Sequence, residues 1–178
     1  MDTPLETDDA IVLVVGAPSE HPTTKGRIEG VTRLEKLLFL LERETKVGKL
    51  VQDAGFVSHH YGPFSVDAYH AVDILAAAGL LTDTRSLSDA PDEAWETQEI
   101  IGLEGDTDPY ATRDFALTEL GRRYYTALLE ELPEDSEAEL TEFKERFAAL
   151  PLRQLVRYVY QQYPEYTDKS KIKYQVLD

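Results

Sequence analysis

Apolar positions recur at helical spacing most clearly between residues 32 and 46. Leu34, Leu37, Leu38 and Leu41 stand at i, i+3, i+4 and i+7, which predicts an amphipathic helix across Arg33–Lys46. Thr32 and Glu35 read as a capping box at its start, and Gly48 as its stop. Upstream, Thr7, Asp8 and Asp9 favour a helix over Ala10–Ala17. The run Ile11 to Val15 also suits a buried strand, and so short a run does not separate the two by period. Pro18 to Gly30 reads as a loop. Beyond Gly48, Phe56 to His60 reads as a short extended piece and Tyr61-Gly62-Pro63 as a turn. Ser65 then caps a helix that runs to Ala78 and stops at Gly79. Leu80 to Leu87 reads as a strand. Thr97–Leu103 and Tyr110–Leu117 are two more strand candidates, expected to pair as a hairpin through Gly105, Asp106 and Asp108. Thr118 caps a helix carrying Leu120, Tyr124, Ala127 and Leu128. Ser136 and Glu139 read as a second capping box, opening a helix with Leu140, Phe143, Phe147 and Leu150 on one side. Pro151 starts a further helix marked by Leu152, Leu155, Val156, Val159 and Tyr163.

Helix, helix, strand, long β-loop, strand, helix is the order of a winged helix-turn-helix. The predicted fold is therefore mainly α with a small antiparallel β wing (α+β) over residues 5–132, followed by a C-terminal helical pair at 134–163 and a loosely held tail at 164–178. The segment Tyr110 to Tyr125 resembles the returning wing strand and following helix of PadR-like regulators. A second resemblance rests on three motifs in order: Gly30 to Leu41 with its Lys-Leu-Leu core, His60-Tyr61-Gly62-Pro63-Phe64-Ser65, and Ala78-Gly79-Leu80-Leu81. Together these resemble the Panacea domain, the SocA-like antitoxin domain, over about residues 30–82. That resemblance implies toxin neutralisation or adaptor binding on a winged-helix-like fold.

Charge changes this picture. The chain of 178 residues carries 34 Asp+Glu against 18 Lys+Arg, a formal charge of -16, with the acids scattered rather than blocked. Such a surface repels nucleic acid and anionic lipid at ordinary salt. Dispersed acidity also suits a proteome in molar salt, where the Debye length shrinks to ~3 Å. In that setting acidity alone does not exclude DNA. With no Cys, disulfides, thiolate metal sites and Cys nucleophiles are excluded, and with no apolar run of membrane-spanning length a cytoplasmic address is expected.

Candidate chemistry is sparse. The chain has no Gly-rich phosphate loop, no His-Glu-x-x-His and no Gly-x-Ser-x-Gly, so no catalytic residue and no enzymatic activity is expected. His59, His60 and His70 do not complete a ligand set. Neither a metal nor another cofactor is expected. The Ser65–Gly79 helix takes the place of a recognition helix. Its core face is predicted as Ala68, Tyr69, Val72, Leu75 and Ala76. Its outer face is predicted as Val66, Asp67, His70, Ala71, Ile74, Ala77 and Ala78, with Asp67 serving the helix dipole. That outer face lacks the Arg, Lys, Asn or Gln that read base edges. Val66, Asp67, His70, Ile74 and Ala77 are accordingly the candidate partner-binding residues. Ser88 to Asp108 holds eight acids and no basic residue, leaving Arg33, Lys36, Arg43, Arg85 and Arg113 as candidate nucleic-acid contacts. The expected function is a non-enzymatic regulatory module acting through a protein partner, a toxin or another copy, with DNA as a weaker alternative. The apolar surplus of the C-terminal pair must pack on its own domain or form a homodimer.

Overall fold

The computed structural model describes residues 3–59, 62–87 and 111–167. Among these are six α-helices, a three-stranded antiparallel sheet and a separate two-stranded hairpin. The fold is mainly helical α+β. The elements are α1 (Thr7–Gly16), β1 (Arg27–Glu29), α2 (Val31–Glu44), β2 (Val57–His59), β3 (Gly62–Phe64), α3 (Val66–Ala77), β4 (Leu81–Leu87), β5 (Ala111–Leu117), α4 (Glu119–Glu130), α5 (Ser136–Phe147) and α6 (Leu152–Gln162). Short 3-10 turns follow α2 (Val47–Leu50) and α6 (Pro164–Tyr166). The sheet order is β1-β5-β4.

The run Ile11 to Val15 is helical, and burial explains it. Ala10 to Val15 are all at most 2 % exposed, so α1 is apolar on every side and is enclosed by the rest of the fold. Its start is held by Asp9, whose carboxylate accepts from the Glu6 backbone N–H at 3.0 Å. Its end has no basic residue of its own. Lys144 of α5 supplies one from a distance, its Nζ donating to the carbonyls of Val15 (2.7 Å) and Ala17 (2.9 Å). Burial pushes the Lys144 ammonium down to about 8.

Both capping boxes read from the sequence are corrected. Helix α2 begins at Val31 with Gly30 as its N-cap, which places Thr32 and Glu35 inside the helix and buried. Helix α5 begins at Ser136 with Asp135 as N-cap, and the Glu139 carboxylate accepts instead from the backbone N–H groups of Lys46 (3.1 Å) and Val47 (2.8 Å). In each case the glutamate joins a distant segment rather than closing its own helix. The loop reading of Pro18 to Gly30 is corrected at its end, where β1 pairs with β5 (Ile28 opposite Phe115). One apolar residue between two charged ones, with a glycine on either side, is too short an alternation to read as a strand. Strand β5 pairs with β4 in continuous register from Leu81 opposite Leu117 to Leu87 opposite Ala111. The other predicted wing partner, Thr97–Leu103, lies outside the described residues.

The apolar side chains of the C-terminal pair take the first of their two possible destinations. Leu140, Phe143, Phe147, Leu152, Leu155, Val156 and Val159 belong to the same buried core as α1 and α2. Polar links reinforce the join. Arg33 donates to the carbonyls of Ala148 (3.1 Å) and Leu150, while Tyr158 and Tyr163 donate to the Glu44 carboxylate at 2.8 and 3.0 Å. A two-fold dimer would therefore need another face. On α4 the predicted stripe is shifted: Gly121, Tyr125 and Leu128 are buried, whereas Leu120, Tyr124 and Ala127 are exposed. No helix among the described residues is long and apolar enough to cross a membrane.

Candidate functional site

Helix α3 is built at both ends by local sequence. Ser65 is its N-cap, with Oγ accepting from Ala68 N–H at 3.1 Å and donating to the Ala54 carbonyl at 2.6 Å. At the other end Gly79, at φ 78°, provides the left-handed residue of a Schellman turn. There Leu80 N–H reaches the Leu75 carbonyl at 3.0 Å and Gly79 N–H the Ala76 carbonyl at 3.1 Å.

Two consecutive residues of α2 fix the segment that feeds this helix. Glu35 accepts from Ser65 N–H at 2.6 Å, and Lys36 Nζ donates to the Pro63 carbonyl at 3.1 Å. Both side chains are buried, at 3 % and 2 % residue exposure. Burial raises the Glu35 carboxyl to about 7, against the opposing pull of Lys36 and the Ser65 N–H. The Tyr61-Gly62-Pro63 corner is a strand rather than a free turn from Gly62 onward, since β3 pairs with β2 (Val57 opposite Phe64). Gly62, at φ 90°, faces the Tyr160 ring so closely that a Cβ there would stand 2.7 Å from it.

The inner face of α3 comprises Ala68, Tyr69, Ala71, Val72 and Leu75. Ala71 is a correction to the predicted outer face, and Ala76, predicted for the core, is half-buried. The predicted partner-binding residues, Val66, Asp67, His70, Ile74 and Ala77, are all exposed. Val66 is 53 % and Ile74 60 % exposed, high values for branched apolar side chains on a regular helix. Val57, on the strand paired with Phe64 just before α3, is 57 % exposed. Asp67 and Asp73 are also exposed, and α3 carries no Lys or Arg. This surface presents apolar side chains and carboxylates to solvent.

The basic residues proposed as nucleic-acid contacts are distributed differently from the sequence reading. On α2 all three are at least half-buried. Lys36 is buried, so its contact with Pro63 replaces any role toward a phosphate. Arg33 is engaged with Glu29, Ala148 and Leu150 carbonyls. Arg43 lies over the Phe39 ring (4.5 Å to the centroid) and donates to the Tyr166 hydroxyl at 2.7 Å. The reason is tertiary: α2 is buried on every side from Leu34 to Leu41, so even Lys36, opposite the leucine stripe, is covered by the β3 segment, while Arg33 reaches the link between α5 and α6 and Arg43 the turn after α6. Arg85 and Arg113 sit opposite each other in the β4–β5 register. The side chain of His59 and all of His60 lie outside the described residues, and His70 is exposed on α3. Among the described residues no group of three His, Asp or Glu is arranged to hold a metal ion.

Sequence reasoning missed a second exposed apolar area. Leu120 and Tyr124 project from α4, and Tyr124 donates to the Asp9 carboxylate beside a groove lined by Thr3, Pro4, Leu5, Leu128 and Glu131. Their spacing of four residues was visible, but it matched a core stripe equally well. Comparison of the chain with protein-family models, curated proteins and solved structures finds no match.

Proposed function

We propose that this chain is a non-enzymatic regulatory module of winged-helix type that docks a protein partner through the outer face of α3, in the manner of a Panacea-like antitoxin or adaptor. The observation that carries the reading is the exposure of Val66 and Ile74 on a helix whose other outer positions are Asp67, His70, Asp73, Ala77 and Ala78, with no cation among them. Exposed apolar side chains grouped on one face mark a binding surface more often than scattered ones do. The winged-helix part is supported by the order α1-β1-α2-α3-β4-β5, with the β2–β3 hairpin inserted between α2 and α3, together with the β1-β5-β4 sheet, in which α3 precedes β4 and β5. A photo-crosslinking residue placed at Ile74, with a control at the exposed Gln154 of α6, tests the docking face in the source cells. A single protein adduct at 74 and none at 154 is expected. Equal or absent adducts at 74 would refute it.

The same element order favours a second reading, a DNA-binding regulator adapted to high salt. Fold analogy alone carries it. Titration with the chain's own upstream duplex and a scrambled duplex in molar potassium chloride separates the two. Weak binding that does not distinguish the duplexes is expected. Nanomolar binding to the first alone, abolished by His70→Ala or Arg113→Ala, would make the protein a transcription regulator.

A further inference from the structure

The outer face of α3 has an internal order that specifies more than apolar contact. At about 100° per residue, Val66, Ala77, His70 and Ile74 fall in sequence around one sector of the helix. Asp73 falls just outside one edge of that sector and Asp67 just outside the other. The result is a seam of Val66, Ala77 and Ile74 with the His70 imidazole among them and a carboxylate on each rim. All six residues are exposed. Ala77 and Ala78 at the C-terminal end are small enough to let another backbone approach closely.

Size narrows the occupant. Twelve residues span about 18 Å, and one face of such a helix buries far less than the ~1,200 Å² of a stable interface between two globular surfaces. A helix or short segment laid along the seam fits better than a broad surface. Charge narrows it further. A second copy would bring an acid rim against an acid rim whether the two helices ran parallel or antiparallel, on molecules that each carry -16. Nucleic acid would meet two carboxylates where it needs cations.

We propose that this seam receives a cationic amphipathic helix of a partner protein, its apolar stripe on Val66, His70, Ile74 and Ala77 and its Lys or Arg residues on both sides against Asp67 and Asp73. The inference rests on the docking role given to α3 above and names the chemistry of what docks there. The rim charges set orientation and discrimination between partners, while the apolar seam supplies most of the contact.

Two synthetic amphipathic peptides of about 18 residues (about five helical turns) test it. They share a leucine stripe; one has lysine on both flanks, the other glutamate. Each is titrated by fluorescence anisotropy into the full-length protein, with circular dichroism confirming the fold in each buffer. The wild type should bind the lysine peptide at least about tenfold more tightly in ~0.15 M salt, and the preference should shrink in molar salt as screening shortens to ~3 Å. Asp67→Lys with Asp73→Lys should remove or reverse the preference. The same change of charge at the exposed Glu130 and Asp135 should leave most of it. Ile74→Arg should weaken the lysine peptide about tenfold or more.

Equal effects of the two double reversals would reduce the preference to bulk attraction and overturn the proposal. So would failure of both peptides to bind, or displacement of the bound peptide by duplex DNA. If both peptides bound equally and Ile74→Arg abolished both, the cationic class would fall while docking on α3 stood. Tight binding of the lysine peptide untouched by Ile74→Arg would sink the docking role as well.

Discussion

Helices α2 and α3 invert the usual rule in opposite directions. On α2 two ionisable residues, Glu35 and Lys36, are buried, whereas α3 leaves Val66 and Ile74 more than half exposed. The burial on α2 is satisfied: Glu35 meets the Ser65 N–H and Lys36 the Pro63 carbonyl, so the two charges hold the entry to α3. Nothing within the described chain covers Val66 and Ile74 in the same way. The buried charges explain how α3 is positioned, and the exposed apolar residues are what is positioned.

The strongest way to break this comparison is to remove one of the buried charges. Lys36→Met deletes the donor to Pro63 and leaves Glu35 without its nearby cation. Loss of a partner from a buried pair costs roughly 3–5 kcal/mol. Glu35 can escape part of that cost by taking up a proton, so chemical denaturation should show a larger loss at pH 8 than at pH 5. Equal losses at both pH values would mean that Lys36 and Glu35 do not act together.

The next effect comes from Glu35 alone. Its folded carboxyl titrates near 7 against an ordinary value of 4.5, so between these values the folded chain binds more protons than the unfolded one. Its contribution is full below pH 4.5 and is lost as pH rises through 7, a decline on the order of 3 kcal/mol. Glu35→Gln should flatten that decline in a denaturation series from pH 5 to 8. Lys144 works in another window and with the opposite slope. Its folded value of about 8 lies below the ordinary 10.5, so the unfolded chain holds more protons between them and stability should rise with pH from 8 to 10.5. Lys144→Met should remove this rise, and a slope unchanged in the variant would assign it to other groups.

The smallest expected effect on stability belongs to α3. Ile74→Arg changes an exposed position that no core residue covers, and its thermal midpoint in molar salt should stay within about 0.5 kcal/mol of wild type in free-energy terms. A larger loss would show that Ile74 is packed in solution.

How much of this was legible in the sequence follows the same division. The leucine period of α2, the Ser65 cap, the Gly79 stop and the outer positions 66, 67, 70, 74 and 77 all express local rules, and those rules operate here. What escaped depends on distant partners. Thr32–Glu35 and Ser136–Glu139 have the spacing of capping boxes, but Glu35 answers an N–H thirty residues away and Glu139 one more than ninety residues away. Lys36 and Arg33 look like surface charge until the β3 segment and the link between α5 and α6 engage them. Strand β1 exists through its pairing with β5, which three residues of sequence do not announce. Ala71 reads as outside because its angle is intermediate, and the packing of α3 against its neighbours buries it.

The most direct test of the central claim is native mass spectrometry of the protein recovered gently from its own cells, wild type beside Ile74→Arg. The substitution separates the two functional readings by sign: an arginine at position 74 repels a cationic helix and interrupts the apolar seam, yet it would strengthen a contact with phosphate. The wild type should carry a second, different polypeptide, and the variant, with its thermal midpoint unchanged, should lose it by at least about tenfold. Equal occupancy in both proteins, or nucleic acid bound to the wild type and bound more tightly by the variant, would contradict it.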